Sequence, residues 1–112
     1  MLQIIRAIQK NPSDKTEVFL VFANQTEEDI LLRKELEACV SDKFHLYYTL
    51  DRPPANWSYG SGFINAEMCK KNLPPPGDDS MIFCCGPPPM IKFACEPAFK
   101  ELGFKESDYF SF

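Results

Sequence analysis

Two adjacent cysteines, Cys84 and Cys85, are the side chains whose position most suggests chemistry. They follow the apolar residues 81–83 and precede Gly86 and three consecutive prolines. This order predicts a buried strand, a sharp turn and a helix that begins with proline, whose missing N–H needs no acceptor in a first turn. A glycine at the carboxyl end of a strand lets a ligand approach the backbone. The pattern also fits a plain strand-to-helix connection, and local chemistry leaves both interpretations open.

The two thiols suggest redox chemistry, but the strand that holds them argues against a reactive pair. Side chains alternate along a strand, so Cys84 and Cys85 should point to opposite faces. A disulfide between such neighbours would be strained, and a buried cysteine usually acts as a small hydrophobe. A thiol-based redox or regulatory protein therefore stays only as an alternative hypothesis.

A metal site is not expected from the remaining chemistry of the chain. The five cysteines lack metal-ligand spacing, and His45 is the one histidine, which we interpret as structural or surface-exposed. An odd number of irregularly spaced cysteines fits a reducing compartment, so we expect a cytoplasmic protein.

Asp51 is the best acidic candidate, because it directly follows a predicted strand at residues 44–50. An acidic side chain at such a strand end can accept hydrogen bonds from ribose hydroxyls, although Asp is also a common turn former. The acidic residues 27–29 are typical of a solvated helix start. The chain has neither a G-x-S-x-G elbow nor a P-loop. The residues alone therefore predict an α/β domain with a ligand crevice at its strand ends.

Strands that alternate with helices predict a parallel sheet joined by right-handed crossovers. The continuous apolar run Val18–Ala23 suits a strand covered on both faces. Thr26 should cap the next helix. The apolar residues of that helix expected to face the sheet are Ile30, Leu31, Leu36 and Val40. The other expected elements are helices at 2–10, 65–72 (capped by Asn65) and 88–102, and strands at 44–50, 81–85 and 109–112. Gly103 should stop the helix at 88–102, and Pro97 should bend or break it.

Composition and charge exclude several classes of partner. The 112 residues suffice for one domain with a modest core. A net charge of −4 without clustered Lys or Arg argues against nucleic acid. No apolar run approaches the length of a membrane span, and the amino terminus does not look like a signal peptide.

The chain resembles the carboxyl-terminal part of the NADH–cytochrome b5 reductase family, within the ferredoxin–NADP reductase-like flavoproteins. The matching stretches occur in the family's order and cover essentially the whole chain. They are residues 1–8, 22–31, 48–54, 62–63, 73–76 and 85–91, with the terminal Phe112.

The resemblance implies a Rossmann-like NADH-binding domain over residues 1–112, with a parallel sheet flanked by helices. It implies an oxidoreductase that takes a hydride from NADH onto FAD and passes electrons to cytochrome b5 or a similar haem protein. Asp51 matches the family's acid beside the adenosine ribose, where a carboxylate would repel the 2′-phosphate of NADPH. Gln25 resembles a residue that approaches the same ribose, and Phe63 matches an aromatic in the nucleotide site.

The remaining site residues come from the turn after the third long strand and from the end of the chain. Cys85, Gly86 and Pro87 match the nicotinamide-side loop, where the cysteine acts by packing and polarity beside the hydride-transfer position. Met90 lies close by in the family. Phe112 resembles a terminal aromatic near the flavin.

Several parts of the family pattern are missing, and they would precede residue 1. They are the Gly-x-Gly-x-Thr-Pro loop, the strand before it, and the FAD-binding barrel with its Arg-x-Tyr-x-x motif. The domain should therefore be truncated at its amino terminus, with a gap where the family places a central strand. Family members often reach the cytosolic face of the endoplasmic reticulum or the outer mitochondrial membrane through that missing end.

We accordingly expect a chain that neither holds FAD nor oxidises NADH by itself. Its missing FAD-binding domain would be a partner for catalysis. The alternative is a catalytically inactive truncated product that serves as a non-enzymatic binding module. Such a module would present the prolines at 74–76 or 87–89 to a proline-binding partner.

Overall fold

The computed structural model describes residues 2–111 and falls into two units, Met1–Ser61 and Gly62–Phe112. Each unit contains a parallel sheet, helices and apolar cores of its own. The predicted class, an α/β fold with parallel strands and flanking helices, is confirmed.

The first unit is built on two long parallel strands. Its elements are α1 (Leu2–Lys10), β1 (Val18–Asn24), α2 (Arg33–Cys39), β2 (Phe44–Leu50) and β3 (Gly60–Ser61). β1 and β2 pair without interruption from Val18 opposite Phe44 to Asn24 opposite Leu50. The short β3 pairs with the end of β2, so the strand order is β1-β2-β3. The sequence predicted β1 and β2 but not β3, because two residues carry no periodicity.

The prediction that β1 is covered on both faces is met only in part among the described residues. All seven residues of β1 are half-buried and none is fully buried. The reason is its place in the sheet, because β1 pairs with β2 alone and so forms an edge of the described sheet. The core lies instead under α1, α2 and β2, where Ile5, Leu36 and Phe44 pack together.

The predicted helix start at Thr26 is present, but it leads to a short turn. The Thr26 backbone N–H and hydroxyl both donate to the Asp29 carboxylate, at 3.1 and 2.9 Å. These bonds close a 3₁₀ turn over Glu27–Asp29, after which the chain leaves helical geometry.

A left-handed residue separates this turn from α2 and changes which apolar side chains are buried. Leu32 has a φ of +55°, a value that L-residues seldom adopt. Ile30 and Leu36 are buried as expected, but Leu31 is 73% exposed and Val40 52%. The prediction assumed one continuous helix, in which all four apolar side chains share one face. Because the helix is interrupted at Leu32, the residues before and after it do not share one helical face.

The second unit joins a two-stranded parallel sheet to a helical layer. Its elements are α3 (Ala66–Asn72), β4 (Ile82–Cys84), α4 (Pro88–Met90), α5 (Glu96–Glu101) and β5 (Tyr109–Ser111). The Asn65 side chain accepts a hydrogen bond from the Met68 N–H at 2.9 Å, which confirms it as the cap of α3. The buried core comprises Cys69, Ile82, Cys84, Ile91, Cys95, Ala98, Phe99 and Phe104.

The helix around Pro97 is not broken; it contains a wider turn just before the proline. A π-helical turn, Ile91–Cys95, joins α4 to α5, and the Glu96 N–H bonds to the Ile91 carbonyl five residues back. In a regular α-helix the ring of Pro97 would clash with the carbonyl four residues earlier. The wider turn lies just before Pro97 and relieves this clash without ending the helix.

Gly103 ends this helix as predicted. Its φ is +93°, and its N–H donates to the Lys100 carbonyl at 3.1 Å. The Phe104 N–H reaches back to the Phe99 carbonyl at 2.9 Å, and the two rings make an edge contact. These features together form a Schellman motif, which satisfies carbonyls at the helix end.

β1 pairs with β2 and β4 pairs with β5, both in parallel, as the prediction of parallel strands requires. The expectation of a gap for a further strand is not tested and stays a prediction. Phe112, at the end of the predicted last strand, lies outside the described residues. Among residues 2–111, no helix has the length and apolar character needed to cross a membrane.

Candidate functional site

The carboxyl ends of β1 and β2 bring two of the predicted site residues side by side. Beyond the last strand pair, the Asp51 N–H donates to the Asn24 carbonyl at 3.1 Å. The Arg52 N–H then donates to the Gln25 carbonyl at 2.8 Å. These bonds extend the ladder by one step, so Gln25 and Asp51 are neighbours at the edge where α/β sheets bind their ligands.

This edge offers hydrogen-bonding groups suited to a sugar diol. Asp51 and Gln25 are both exposed, so a carboxylate and a carboxamide are available to an incoming ligand. The carboxylate can accept from two neighbouring hydroxyls, and its charge would repel a phosphate at the same place. Arg52, which the sequence reasoning did not select, has its Nη2 atom 3.4 Å from the Gln25 side-chain oxygen.

The turn after β4 carries four more of the predicted residues in the second unit. Cys84 is buried and Cys85 is exposed, which confirms that the two thiols point to opposite faces. Gly86 follows with a φ of +155°. Pro87 then leads into α4, and the Met90 N–H donates to the Pro87 carbonyl at 3.0 Å.

A side chain at Gly86 would require the end of the Met90 side chain to move. A Cβ atom built on Gly86 would collide with the Cε of Met90. The glycine leaves the exposed backbone of this turn without a side chain, and Met90 packs on the side where a Cβ atom would lie. Such a bare turn lets a flat ring approach the main chain closely.

We expect Gly86→Ala to destabilise the protein by about 1–3 kcal/mol, because the positive φ is unfavourable for any L side chain and the methyl group meets Met90. Chemical denaturation of Gly86→Ala, Met90→Ala and the double variant would separate the two causes. Relief of the collision by Met90→Ala should recover only part of the loss. Full additivity of the two single changes would show that the collision contributes nothing.

The thiols give no support to the redox alternative. All five cysteines are free. Burial raises the pKa of Cys84 to about 11, so this thiol is protonated at neutral pH and is a poor nucleophile. The interaction-module alternative loses one of its two proline runs, because Pro88 and Pro89 form the first turn of a helix. The other run, at 74–76, lies outside helices and strands, so this alternative stays a hypothesis.

Phe63 and His45 occupy contrasting positions. Phe63 is 75% exposed, so its ring surface is available for stacking. His45 stacks on Phe19 with ring centroids 4.5 Å apart and lies 3.4 Å from a Glu17 carboxylate oxygen. This agrees with a structural or surface role for the histidine. No group of three or more metal-ligating side chains occurs within residues 2–111.

Sequence reasoning missed a cluster behind the edge formed by Gln25 and Asp51. Arg33, Tyr48 and Trp57 come together there from α2, β2 and the loop after β2. The one available signal was composition, since Trp57 is the only tryptophan of the chain and falls just after Asp51.

Comparison with known proteins identifies close relatives. A family model described as oxidoreductase NAD-binding domain matches residues 1–96. The chain is 53% identical to NADH-cytochrome b5 reductase 2 of Xenopus laevis over 115 residues, covering 100% of this chain and 39% of that protein. It is also 53% identical to the Homo sapiens protein of the same name, covering 100% of this chain and 42% of the relative.

A solved structure shares the fold closely. The cytochrome b5 reductase domain of Ulva prolifera nitrate reductase superposes with a TM-score of 0.94 at 46% identity. The match covers 98% of this chain and 42% of that one. The chain thus spans about two fifths of the length of these relatives.

Proposed function

Because the chain belongs to the oxidoreductase NAD-binding domain family, we propose that it is the NADH-binding portion of a flavoprotein reductase. In the proposed reaction NADH supplies a hydride to FAD, and electrons pass on to cytochrome b5 or a similar haem protein. The names of the relatives that match the whole chain support this assignment.

The observation that carries the proposal is the pairing of Gln25 with Asp51 at the carboxyl edge of β1 and β2. Asp51 accepts hydrogen bonds from the hydroxyls of the adenosine ribose, and Gln25 supports the same sugar. The backbone bonds to Asn24 and Gln25 hold both side chains in register, so little ordering is needed when the ribose binds. The carboxylate excludes a 2′-phosphate by charge and so favours NADH over NADPH.

The turn after β4 serves the nicotinamide in this proposal. The bare backbone of Gly86 and Pro87 receives the ring, and Met90 closes the space beside the glycine. Cys85 presents its exposed thiol next to the reacting carbon and acts by packing and polarity. Phe63 offers an aromatic face to the nucleotide. The polar pair of the first unit thus fits a ribose, and the turn of the second unit fits a flat ring.

The described residues do not fit FAD in the same way. None of the three arginines, Arg6, Arg33 and Arg52, is followed by the x-Tyr of the family's flavin-phosphate motif. Phe112, the proposed flavin neighbour, lies outside the described part of the chain. We propose that the 112 residues alone neither hold FAD nor oxidise NADH, and that a FAD-binding domain is needed for turnover. Five free cysteines support a cytoplasmic location.

Thermal unfolding of the purified chain with NADH, with NADPH and without nucleotide tests the proposal. A ligand present at 100 times its dissociation constant should stabilise the fold by about 2.7 kcal/mol. At equal millimolar concentrations we expect NADH to raise the transition temperature more than NADPH does. A transition indifferent to both nucleotides would refute NADH binding by this chain. An absorption band of bound flavin in the purified chain would refute the proposed lack of FAD.

A further inference from the structure

We propose that Arg33 is a positioning residue, which clamps the loop after β2 and thereby fixes the carboxylate of Asp51 for ribose recognition. This inference rests on the proposed function and deepens it, because it names a residue that sets the preference for NADH without contacting the nucleotide. Arg33 itself touches no proposed ligand group. Its role follows from contacts within the first unit.

The guanidinium of Arg33 lies against two aromatic rings at once. Its Cζ atom is 5.6 Å from the centre of the Tyr48 ring and 5.7 Å from that of Trp57. Both distances are within the range of cation–π attraction. Tyr48 is fully buried in β2, and Trp57 belongs to the loop at residues 51–59. Arg33 therefore joins the loop to the strand.

Two carboxylates hold the guanidinium in this place. Its Nη1 atom lies 2.7 Å from a Glu27 oxygen, and its Nε atom lies 3.1 Å from a Glu37 oxygen. Glu27 belongs to the turn just after Gln25, whereas Glu37 is one helical turn further along α2. The side chain is thus held by two ion pairs within cation–π distance of both rings.

Trp57 connects Arg33 to the rest of the loop through two hydrogen bonds. Its indole N–H donates to the Gly60 carbonyl at 3.0 Å, and its backbone N–H donates to the Pro54 carbonyl at 3.3 Å. The loop that begins at Asp51 is therefore anchored at one end by β2 and further along by Trp57. An exposed Asp side chain on an unanchored loop would sample many positions, and Arg33 restricts that freedom.

The same cluster connects the two loops that carry the ribose-binding pair. Gln25 lies directly before the turn that contains Glu27, and Asp51 begins the loop that contains Trp57. Arg33 forms an ion pair with Glu27 of the first loop and lies over the ring of Trp57 in the second. A change at Arg33 should therefore loosen both Gln25 and Asp51 without removing either side chain.

Arg33→Met tests the proposal, because it keeps an apolar stem and loses the charge and the planar group. We expect its ratio of NADPH to NADH dissociation constants to fall by about tenfold, since a loosened carboxylate discriminates less. Amide hydrogen exchange at Arg52, whose N–H bonds to Gln25, should become at least about tenfold faster. Emission from Trp57 should shift as the guanidinium leaves its ring.

Lys34→Met is the matched control, because Lys34 is the next residue of α2, is exposed and loses the same charge. It should leave both the ratio and the exchange rate unchanged. In an Asp51→Ser background, Arg33→Met should no longer alter the ratio. Arg33→Lys keeps the charge but not the planar fork, so its ratio of dissociation constants and its exchange rate at Arg52 should lie between those of Arg33→Met and the wild type. If Arg33→Met does not fold, Arg33→Lys takes its place in the comparison.

A merely structural arginine would lower the unfolding temperature and leave the ratio among folded molecules intact. An unchanged ratio together with an unchanged exchange rate at Arg52 would therefore overturn the positioning role. If the wild-type chain binds neither nucleotide, the proposed function fails. Exchange at Arg52 and Trp57 emission would still decide whether Arg33 clamps the loop.

Discussion

Asp51→Ser is expected to reverse the preference for NADH over NADPH, leaving the variant with about a tenfold preference for NADPH. Placing a carboxylate beside a phosphate costs several kcal/mol, so the wild type should bind NADPH roughly 100-fold more weakly than NADH. Serine removes the repulsion, and we expect NADPH to gain about that factor. NADH should lose about tenfold, because a hydroxyl replaces charge-assisted hydrogen bonds to the ribose. Equilibrium titration of both nucleotides measures the two effects.

Asp42→Ser provides a control at the opposite end of the same strand. Asp42 is exposed and lies two residues before β2 begins, so the substitution makes the same change in net charge far from the carboxyl edge. It should leave the NADH preference unaltered. If both variants shift the preference equally, the effect belongs to overall charge, and Asp51 has no direct part in ribose recognition.

Alkaline pH should unfold this protein through three thiols in the core of the second unit. Burial raises the pKa of Cys69, Cys84 and Cys95 from 9.0 to about 11. Between these values the unfolded chain has lost protons that the folded chain keeps, so its proton count is lower and stability falls as pH rises. Each thiol therefore lowers the free energy of unfolding by on the order of 1 kcal/mol per pH unit in that window. The combined loss by pH 11 is on the order of a small domain's whole stability.

Urea unfolding at a series of pH values from 8 to 11, under reducing conditions, measures this loss. Replacing the three buried cysteines by alanine should flatten the dependence between pH 9 and 10, even though the variant starts from a lower stability at pH 8. Above pH 10 a slope should remain, because burial raises the pKa of Tyr48 from 10.0 to about 12. Cys85→Ala is the control, because its thiol is exposed and adjacent to Cys84. A triple variant that loses stability in parallel with the wild type would show that other groups govern the alkaline transition.

The sequence predicted the long elements because their signals are local. The apolar runs of β1 and β2, the Asn65 cap and the Gly103 stop each depend on a few neighbouring residues. The break at Leu32 escaped prediction, because neither glycine nor proline marks it. Likewise, the sequence shows that Pro97 disturbs its helix, but the choice between a kink and a wider turn depends on packing around Ile91 and Cys95.

For the candidate site, the sequence predicts the residues proposed to contact the ligand, but it does not predict the residues that hold them in position. Asp51 and Gln25 follow strand ends and match a family pattern, and the structure places them side by side. Arg33 contacts Trp57 across 24 positions of sequence, and no motif or period records such a contact. Arg52 was passed over because an exposed arginine beside prolines is typical of any turn. Residues that act through their neighbours can be identified only from a three-dimensional structure, because their contacts are distant in sequence.

The π-helical turn before Pro97 bears on how this chain should be aligned with its relatives. A π turn holds one more residue than an α turn, so Ile91–Cys95 amounts to a one-residue insertion tolerated within a helix. The proline and the extra residue are coupled, because each removes the cost of the other. Among related sequences, a one-residue gap in this helix should therefore coincide with the loss of the proline, and an alignment that forbids gaps inside helices would place one of its two flanks out of register.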